Sequence, residues 1–269
     1  MVMPVHFAQV AADPAPSVVC GRNQRKGVTT MGLGNGLRLT WVGHATWIME
    51  TPGGKRVLID PWVTGNPVVP DELKDPGPFD VLLLTHGHND HTGDAVDLAT
   101  RHTPKAVLAM IELGDYLESK GVENVIGYNK GGTAEAEGLK FTMVDARHSS
   151  SFTQPDGTIL HTGDPNGYIV TLEDGRRVYV AGDTSVFGDM ALIGRLYKPD
   201  VAILPIGDFF TMGPFEAAEA IRLLGVKKVV PTHYGTFPAL HGTPDQLRRE
   251  AADVSGLEVL DVAPGGTVE

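Results

Sequence analysis

Residues 82–94 read LLLTHGHNDHTGD. Three leucines run into three histidines and an aspartate: His86, His88, Asp90 and His91. A continuous apolar run of this kind marks a strand buried on both faces, as in a sheet covered by helices. The histidines then stand at the C-terminal mouth of that strand, where open α/β sheets place their ligands. A tight turn at Gly87 lets His86 and His88 converge on one point. The helical pattern over 92–101 begins at Asn89 or Asp90, which puts His91 in a first turn, displaced toward a second point. No packing requirement gathers four ligand-type side chains so closely. The cluster therefore reads as part of a metal site whose other donors come from elsewhere in the chain.

Three residues share the placement of His86, directly after a β-run. His148 in VDARHSS follows the apolar strand 139–146, Asp183 in VYVAGDTS follows a glycine that lets backbone approach closely, and His233 in VVPTHYGTF ends a third strand. Taken singly, these would be a loop histidine or a turn cap; beside the cluster they become ligand candidates. Strands are predicted over 37–42, 45–50, 56–60, 80–85, 106–109, 139–146, 168–172, 176–182, 200–206 and 227–232. Helices are predicted over 92–101, 112–120, 188–197, 214–224 and 244–254. The best defined is PFEAAEAIRLL, with Pro214 suited to a first turn and Gly225 as terminator.

An internal echo organises these elements. GGKRVLID precedes PFDVLLLTHGH, and DGRRVYVAGD precedes KPDVAILPIGD. In each half a basic-flanked strand ends near an aspartate, and a second strand follows a Pro and an Asp. The echo predicts two similar halves packed sheet to sheet, helices outside, strand ends meeting at one edge.

The pattern His86-x-His88-x-Asp90-His91, followed by His148, Asp183 and His233, resembles the metallo-β-lactamase superfamily of metal-dependent hydrolases. WVGHATWIME, FTMGP and THYGTFP further resemble its subgroup of uncharacterised metal-dependent hydrolases related to the ascorbate-phosphate lactonase. The resemblance covers residues 37–262. It implies an α/β fold, an αββα sandwich with a dinuclear metal site at one edge of the two sheets. It also implies that His86, His88 and His148 bind a first metal, Asp90, His91 and His233 a second, and that Asp183 bridges both. Asp60 matches an early acidic position that supports the metal loop through hydrogen bonds. The implied cofactors are two divalent ions, with Zn, Mn, Fe and Ni all suited to nitrogen and oxygen donors. A hydroxide bridging them would cleave an ester, lactone or phosphoester bond. Asp90 could orient it or pass its proton onward. His44 in GHAT has two readings, a catalytic contact near the metals or a turn residue bonded to backbone. His161 and His241 stay outside the ligand set. Phe209, Phe210 and Met212 form either a pocket wall or a cap on the core, while Thr211 and Tyr234 are polar residues near the presumed mouth.

Composition limits the alternatives. The chain has 269 residues, 42% of them apolar, and 22 Lys and Arg against 33 Asp and Glu give a net charge of −11. That balance disfavours nucleic acid as a partner, since phosphate backbones are held by clustered cations. An RNA or nucleotide phosphodiesterase, whose tRNA-processing relatives share the metal motif, would have only Arg22, Arg25 and Lys26 as a basic arm. A non-hydrolytic metal-binding or redox module would need an adjoining electron-transfer domain. One cysteine, Cys20, permits no internal disulfide. The expected partner is a small-molecule substrate, with no membrane and a cytoplasmic location; a homo-oligomer is compatible with the sequence but not read from it. Residues 1–36 read as an N-terminal extension and 37–269 as a single metallo-hydrolase domain, with Met31 as a candidate start of translation.

Overall fold

The computed structural model describes residues 32–269. The first sheet contains β1 (Arg38–Gly43), β2 (Thr46–Glu50), β3 (Arg56–Ile59), β4 (Val81–Leu83), β5 (Ala106–Met110) and β6 (Val125–Tyr128). The second contains β7 (Thr133–Ala136), β8 (Leu139–Asp145), β11 (Asn166–Thr171), β12 (Arg177–Val180), β13 (Val201–Pro205), β14 (Lys228–Thr232) and β15 (Glu258–Val259). Between β8 and β11 a small hairpin is inserted, β9 (Ser151–Thr153) with β10 (Ile159–His161); β16 (Thr267–Val268) returns to the edge of the first sheet beside β1. The helices are α1 (Asn89–Thr92), α2 (Ala95–His102), α3 (Ile111–Ser119), α4 (Met190–Tyr197), α5 (Pro214–Leu224) and α6 (Pro244–Glu250). None among the described residues is long and apolar enough to cross a membrane.

Alternation along the strands builds three apolar layers. Val57 and Ile59 of β3 face a core shared with Phe141, Met143, Tyr168 and Val178 of the second sheet. Leu58, pointing the other way, joins Leu98 of α2 and Leu113 and Leu117 of α3. On the far side Tyr179 and Leu204 pack beneath Ile193 of α4, Ile221 of α5 and Leu247 of α6. Helix, sheet, sheet, helix is the order that these three clusters define. The architecture is thus the αββα sandwich that the resemblance implies, with two mixed sheets.

The echo holds down to the register. Parallel β3 and β4 align Val57 with Val81, and parallel β12 and β13 align Val178 with Val201. Asp80 accepts from the Arg56 amide at 2.8 Å, and Asp200 accepts from the Arg177 amide at 2.8 Å. In both halves the aspartate ahead of the second strand clamps the start of the first.

Three boundaries differ from the sequence reading. Leu33, assigned to the extension 1–36, is buried in the inter-sheet core, and the Arg176 guanidinium donates to the carbonyls of Leu33, Gly34 and Asn35. The packed chain thus starts before residue 37; the part of the extension over 1–31 lies outside the described residues. The helix over 92–101 is two helices, α1 and α2. They separate at Gly93 and Asp94, where the Asp94 carboxylate turns back to accept from the amides of Val63 and Thr64 at 2.7 and 2.9 Å. Six strands, β6, β7, β9, β10, β15 and β16, have no counterpart among the predicted ones. They are edge or hairpin strands of two to four residues, too short or too exposed to show an apolar period.

Candidate metal centre

Strand ends deliver the donors to one edge of the sandwich. His86 and His88 follow β4, Asp90 and His91 ride on the turn of α1, His148 follows β8, Asp183 follows β12 and His233 follows β14. His86, His88 and His148 form one group; Asp90, His91 and His233, together with His44, form another. Within each group the donor atoms lie within 4.8 Å of one another. Asp183 stands between them. Its Oδ2 is 3.0 Å from His233 Nε2, 3.3 Å from His91 Nε2 and 3.6 Å from His148 Nε2.

The arrangement fits divalent cations. His91 Nε2 and both ring nitrogens of His233 are buried without a hydrogen-bond partner, although Asp183 is close. Buried polar atoms left this way are costly unless another ligand satisfies them. Metal–nitrogen bonds of 2.0–2.1 Å in a tetrahedral site put neighbouring donors about 3.3 Å apart, the range of the three Asp183 separations. The donors are only nitrogen and oxygen, which suits Zn, Mn, Fe and Ni without choosing among them.

Asp60 sets the protonation pattern of the two groups. Its Oδ1 accepts from the Thr85 amide at 2.8 Å, and its Oδ2 accepts from Thr85 Oγ1 at 2.6 Å and from His91 Nδ1 at 2.9 Å. A hydroxyl that donates to Asp60 is free to accept, so His86 Nδ1–H donates to Thr85 Oγ1, 3.1 Å away. Both imidazoles therefore carry hydrogen on Nδ1 and present the Nε2 lone pair to the centre. One carboxylate orients a ligand candidate in each group.

Electrostatics favour ligand-ready side chains. Burial, then the neighbouring His91 charge, pushes His86 well below the usual histidine value, and burial does the same more mildly for His88 and His148. Burial opposes a charge on Asp183, yet His233 and His91 hold it well below the usual carboxylate range. For His91 burial is outweighed by Asp183 and Asp60, which raise its proton affinity, so a cation bound there would displace a proton from Nε2.

His44 reaches the centre through Asp90. It is fully buried, and its Nε2 lies 3.1 Å from Asp90 Oδ2. Burial, then the adjacent His233 ring, pushes it down to about 4 against the pull of Asp90. A neutral imidazole has one N–H, and a carboxylate can only accept, so Nε2 donates to Asp90 and Nδ1 accepts from Thr236 Oγ1 at 3.0 Å. Its backbone has a turn role as well. The His44 carbonyl accepts from Trp41 Nε1 at 2.8 Å, Thr232 Oγ1 at 2.8 Å and the His233 amide at 3.0 Å. WVGHATW and THYGTF thus knit together across the two sheets, with Trp41 stacked on Tyr234. Thr236 and Ser149, whose Oγ is 3.2 Å from His88 Nε2, escape a reading of the sequence because only the fold brings them to their histidines.

A cleft of about 330 Å³ opens above the centre, walled by Ser149, Phe210 and Phe237. The apolar loop after β13 divides its residues: Met212 is buried in the core, while Phe210 faces the cleft. Thr211 Oγ1 donates to its neighbour's carbonyl, and Tyr234 packs against the core; neither lines the cleft. His161 is exposed on β10, and exposed His241 lies near Asp208. Backbone strain gathers here too. His44, Asp60, Asp208, Phe209 and His233 all have positive φ, each costing on the order of 1–3 kcal/mol that surrounding contacts must offset.

Gly182 permits the approach of Asp183. Its φ is +63°, and a Cβ there would lie 2.8 Å from the Thr85 Cβ. Gly182→Ala is therefore expected to destabilise the fold by about 2–4 kcal/mol, from overpacking and left-handed strain together. Denaturant midpoints would check this, and an unchanged midpoint would show that the contact gives way freely.

Fold and site together define a protein of the metallo-β-lactamase superfamily, and a family model described as a beta-lactamase superfamily domain matches residues 55–234. The chain is 52% identical over 231 residues to a UPF0173 metal-dependent hydrolase of Rubrobacter xylanophilus, covering 86% of this chain and 95% of that one. A UPF0173 metal-dependent hydrolase of Roseiflexus castenholzii is 46% identical over 242 residues, with 88% and 98% covered. Igni18, a metallo hydrolase from the archaeon Ignicoccus hospitalis, has a similar solved structure, with a TM-score of 0.76, 36% identity, and 86% and 97% covered. The chain belongs to the UPF0173 metal-dependent hydrolase family.

Proposed function

We propose that this metal-dependent hydrolase holds two divalent cations and cleaves an ester, lactone or phosphoester bond in a small substrate, in the cytoplasm. The placement of Asp183 Oδ2 between the two histidine groups carries this reading. His86, His88 and His148 would hold one cation, Asp90, His91 and His233 the other, and Asp183 both. Bound there, the cations would supply an acidified water and positive charge for a developing oxyanion. Asp90 is the residue placed to move a proton. Burial would raise its proton affinity, yet the His44 hydrogen bond and the His91 charge hold it well below the usual carboxylate range, so it stands as an anion available to a cation. The likeness of WVGHATWIME and THYGTFP to relatives of the ascorbate-phosphate lactonase supports a lactone among the candidate bonds. An RNA substrate is disfavoured further, because among the described residues no Lys or Arg lines the cleft.

The test is metal content by mass spectrometry, followed by a panel of lactones, carboxylic esters and phosphodiesters with Zn²⁺, Mn²⁺ and Ni²⁺. Two equivalents of metal, with hydrolysis lost to a chelator and restored by metal, are expected. Less than one equivalent after reconstitution would remove the basis of the reading.

His44 acts on Asp90 rather than on substrate. His44→Ala is expected to lower kcat by about 10–100-fold, the usual scale for partners that orient a ligand. Loss of KM alone, with kcat intact, would instead place His44 against the substrate.

A further inference from the structure

We infer that the natural substrate is an uncharged carboxylic ester or lactone carrying an apolar arm, gripped between Phe210 and Phe237. This rests on the hydrolase reading above and extends it from the reacting bond to the rest of the molecule. Phe210 is 53% exposed and Phe237 37% exposed, and both line the cleft over the metal centre. Large apolar side chains grouped at a concave site commonly mark a binding surface.

The loop that presents Phe210 keeps it out of the core at a conformational cost. Asp208 and Phe209 both have positive φ, a setting disfavoured for a bulky aromatic residue. The Asp208 carboxylate accepts from the Phe209 amide at 2.7 Å, and the Met212 amide donates to the Thr184 carbonyl at 3.0 Å. Met212, two residues on, is fully buried and anchors the turn. Phe209 braces Phe210 edge to face, with centroids 4.7 Å apart. Opposite, Phe237 stands 5.8 Å from His44 and 5.9 Å from Trp62, with Leu240 of the same loop buried beneath.

Charge points the same way. The two cations of the adjoining pocket, which shares His148 with the cleft, are already paired. Arg147 Nε lies 3.1 Å from Asp145, and Lys130 lies 2.6 Å from Asp145 and 3.4 Å from Asp164. A substrate whose non-reacting part carried a phosphate or carboxylate would find no free cation among the described cleft residues. An alkyl or aryl arm would find two rings. In the reaction water adds to the acyl carbon, the acyl C–O bond breaks, and the departing alcohol oxygen takes a proton. The acid formed releases one.

Two measurements on the metal-loaded full chain test this. The first is binding of the neutral fluorophore N-phenyl-1-naphthylamine, which needs no turnover. Saturable binding near one equivalent is expected, weakened at least about tenfold in Phe210→Ala/Phe237→Ala, the scale of losing large apolar contacts in a pocket. No binding, or equal binding by the double variant, overturns the inference. The second is the kcat/KM ratio of δ-decanolactone to δ-valerolactone. A ratio above about ten is expected in the wild type, falling toward one in the double variant. Hydrolysis of both lactones without preference, or faster hydrolysis of a charged phosphodiester, overturns the apolar arm while leaving the hydrolase reading intact. Absence of metal-dependent hydrolysis across the whole panel would instead sink the hydrolase reading, and the inference with it. A changed oligomeric state in the double variant with probe binding untouched would assign the rings to subunit contact.

Discussion

Asp183→Ala is expected to lower hydrolysis by more than about 10³-fold and bound metal from two equivalents to one or fewer, a larger effect than the 10–100-fold typical of residues that only support ligands. The reason lies in its position. One carboxylate oxygen is within 3.0–3.6 Å of three imidazoles drawn from both groups. Without it, His91, His148 and His233 would crowd cations together with no shared anion to offset their repulsion. Asp183→Asn separates charge from shape, since the amide keeps an oxygen donor but not the negative charge. An intermediate loss is expected there. Metal content and kcat/KM, measured on the same samples, decide the matter; an alanine variant that keeps two tightly held equivalents would show that Asp183 is no bridge.

The gathering of the candidate donors at one edge was legible in the sequence because His86, His148, Asp183 and His233 each follow an apolar strand, and strand ends are where this architecture collects side chains. The echo worked for a related reason. Its Pro-Asp signals mark a structural clamp, Asp80 on Arg56 and Asp200 on Arg177, that fixes parallel pairing in both halves. Edge strands such as TAEA over Thr133–Ala136 gave no signal, since an exposed partner of β8 needs no apolar period. At the site, what stayed hidden depends on contacts across long sequence distance. Thr236 bonds to a histidine 192 positions away. Phe210 and Met212 are both apolar and two residues apart, yet one faces the cleft and the other the core. That difference arises from positive φ at Asp208 and Phe209, which composition does not announce. His44 offered two readings, and the geometry gives each a part: its carbonyl is a turn hub, while its ring bonds to Asp90 beside the candidate metal group.

Asp60→Ala is expected to cost about 3–5 kcal/mol of stability, the scale for removing one partner from a buried charged network. Three donors lose their acceptor together: the Thr85 amide, the Thr85 hydroxyl and His91 Nδ1. Asp60 is 1% exposed, so water does not readily replace it. The site should suffer as well, because His86 through Thr85 and His91 directly would both be free to exchange tautomers. Asp60→Asn isolates this second effect. Asparagine tolerates the positive φ of +44° and can still accept from the Thr85 amide, but its NH₂ would face two donors. Metal affinity is expected to fall about 10–100-fold in Asp60→Asn, with a smaller stability loss than in the alanine variant. Thr85→Val should disturb His86 alone, because His91 keeps its direct bond to Asp60. Metal titrations of the two variants, paired with denaturant unfolding in the presence of a chelator, separate fold from site. If Asp60→Asn binds both equivalents as tightly as the wild type, one carboxylate does not govern both groups, and the hydrogen-bond chain from Asp60 through Thr85 to His86 has no control over the metal.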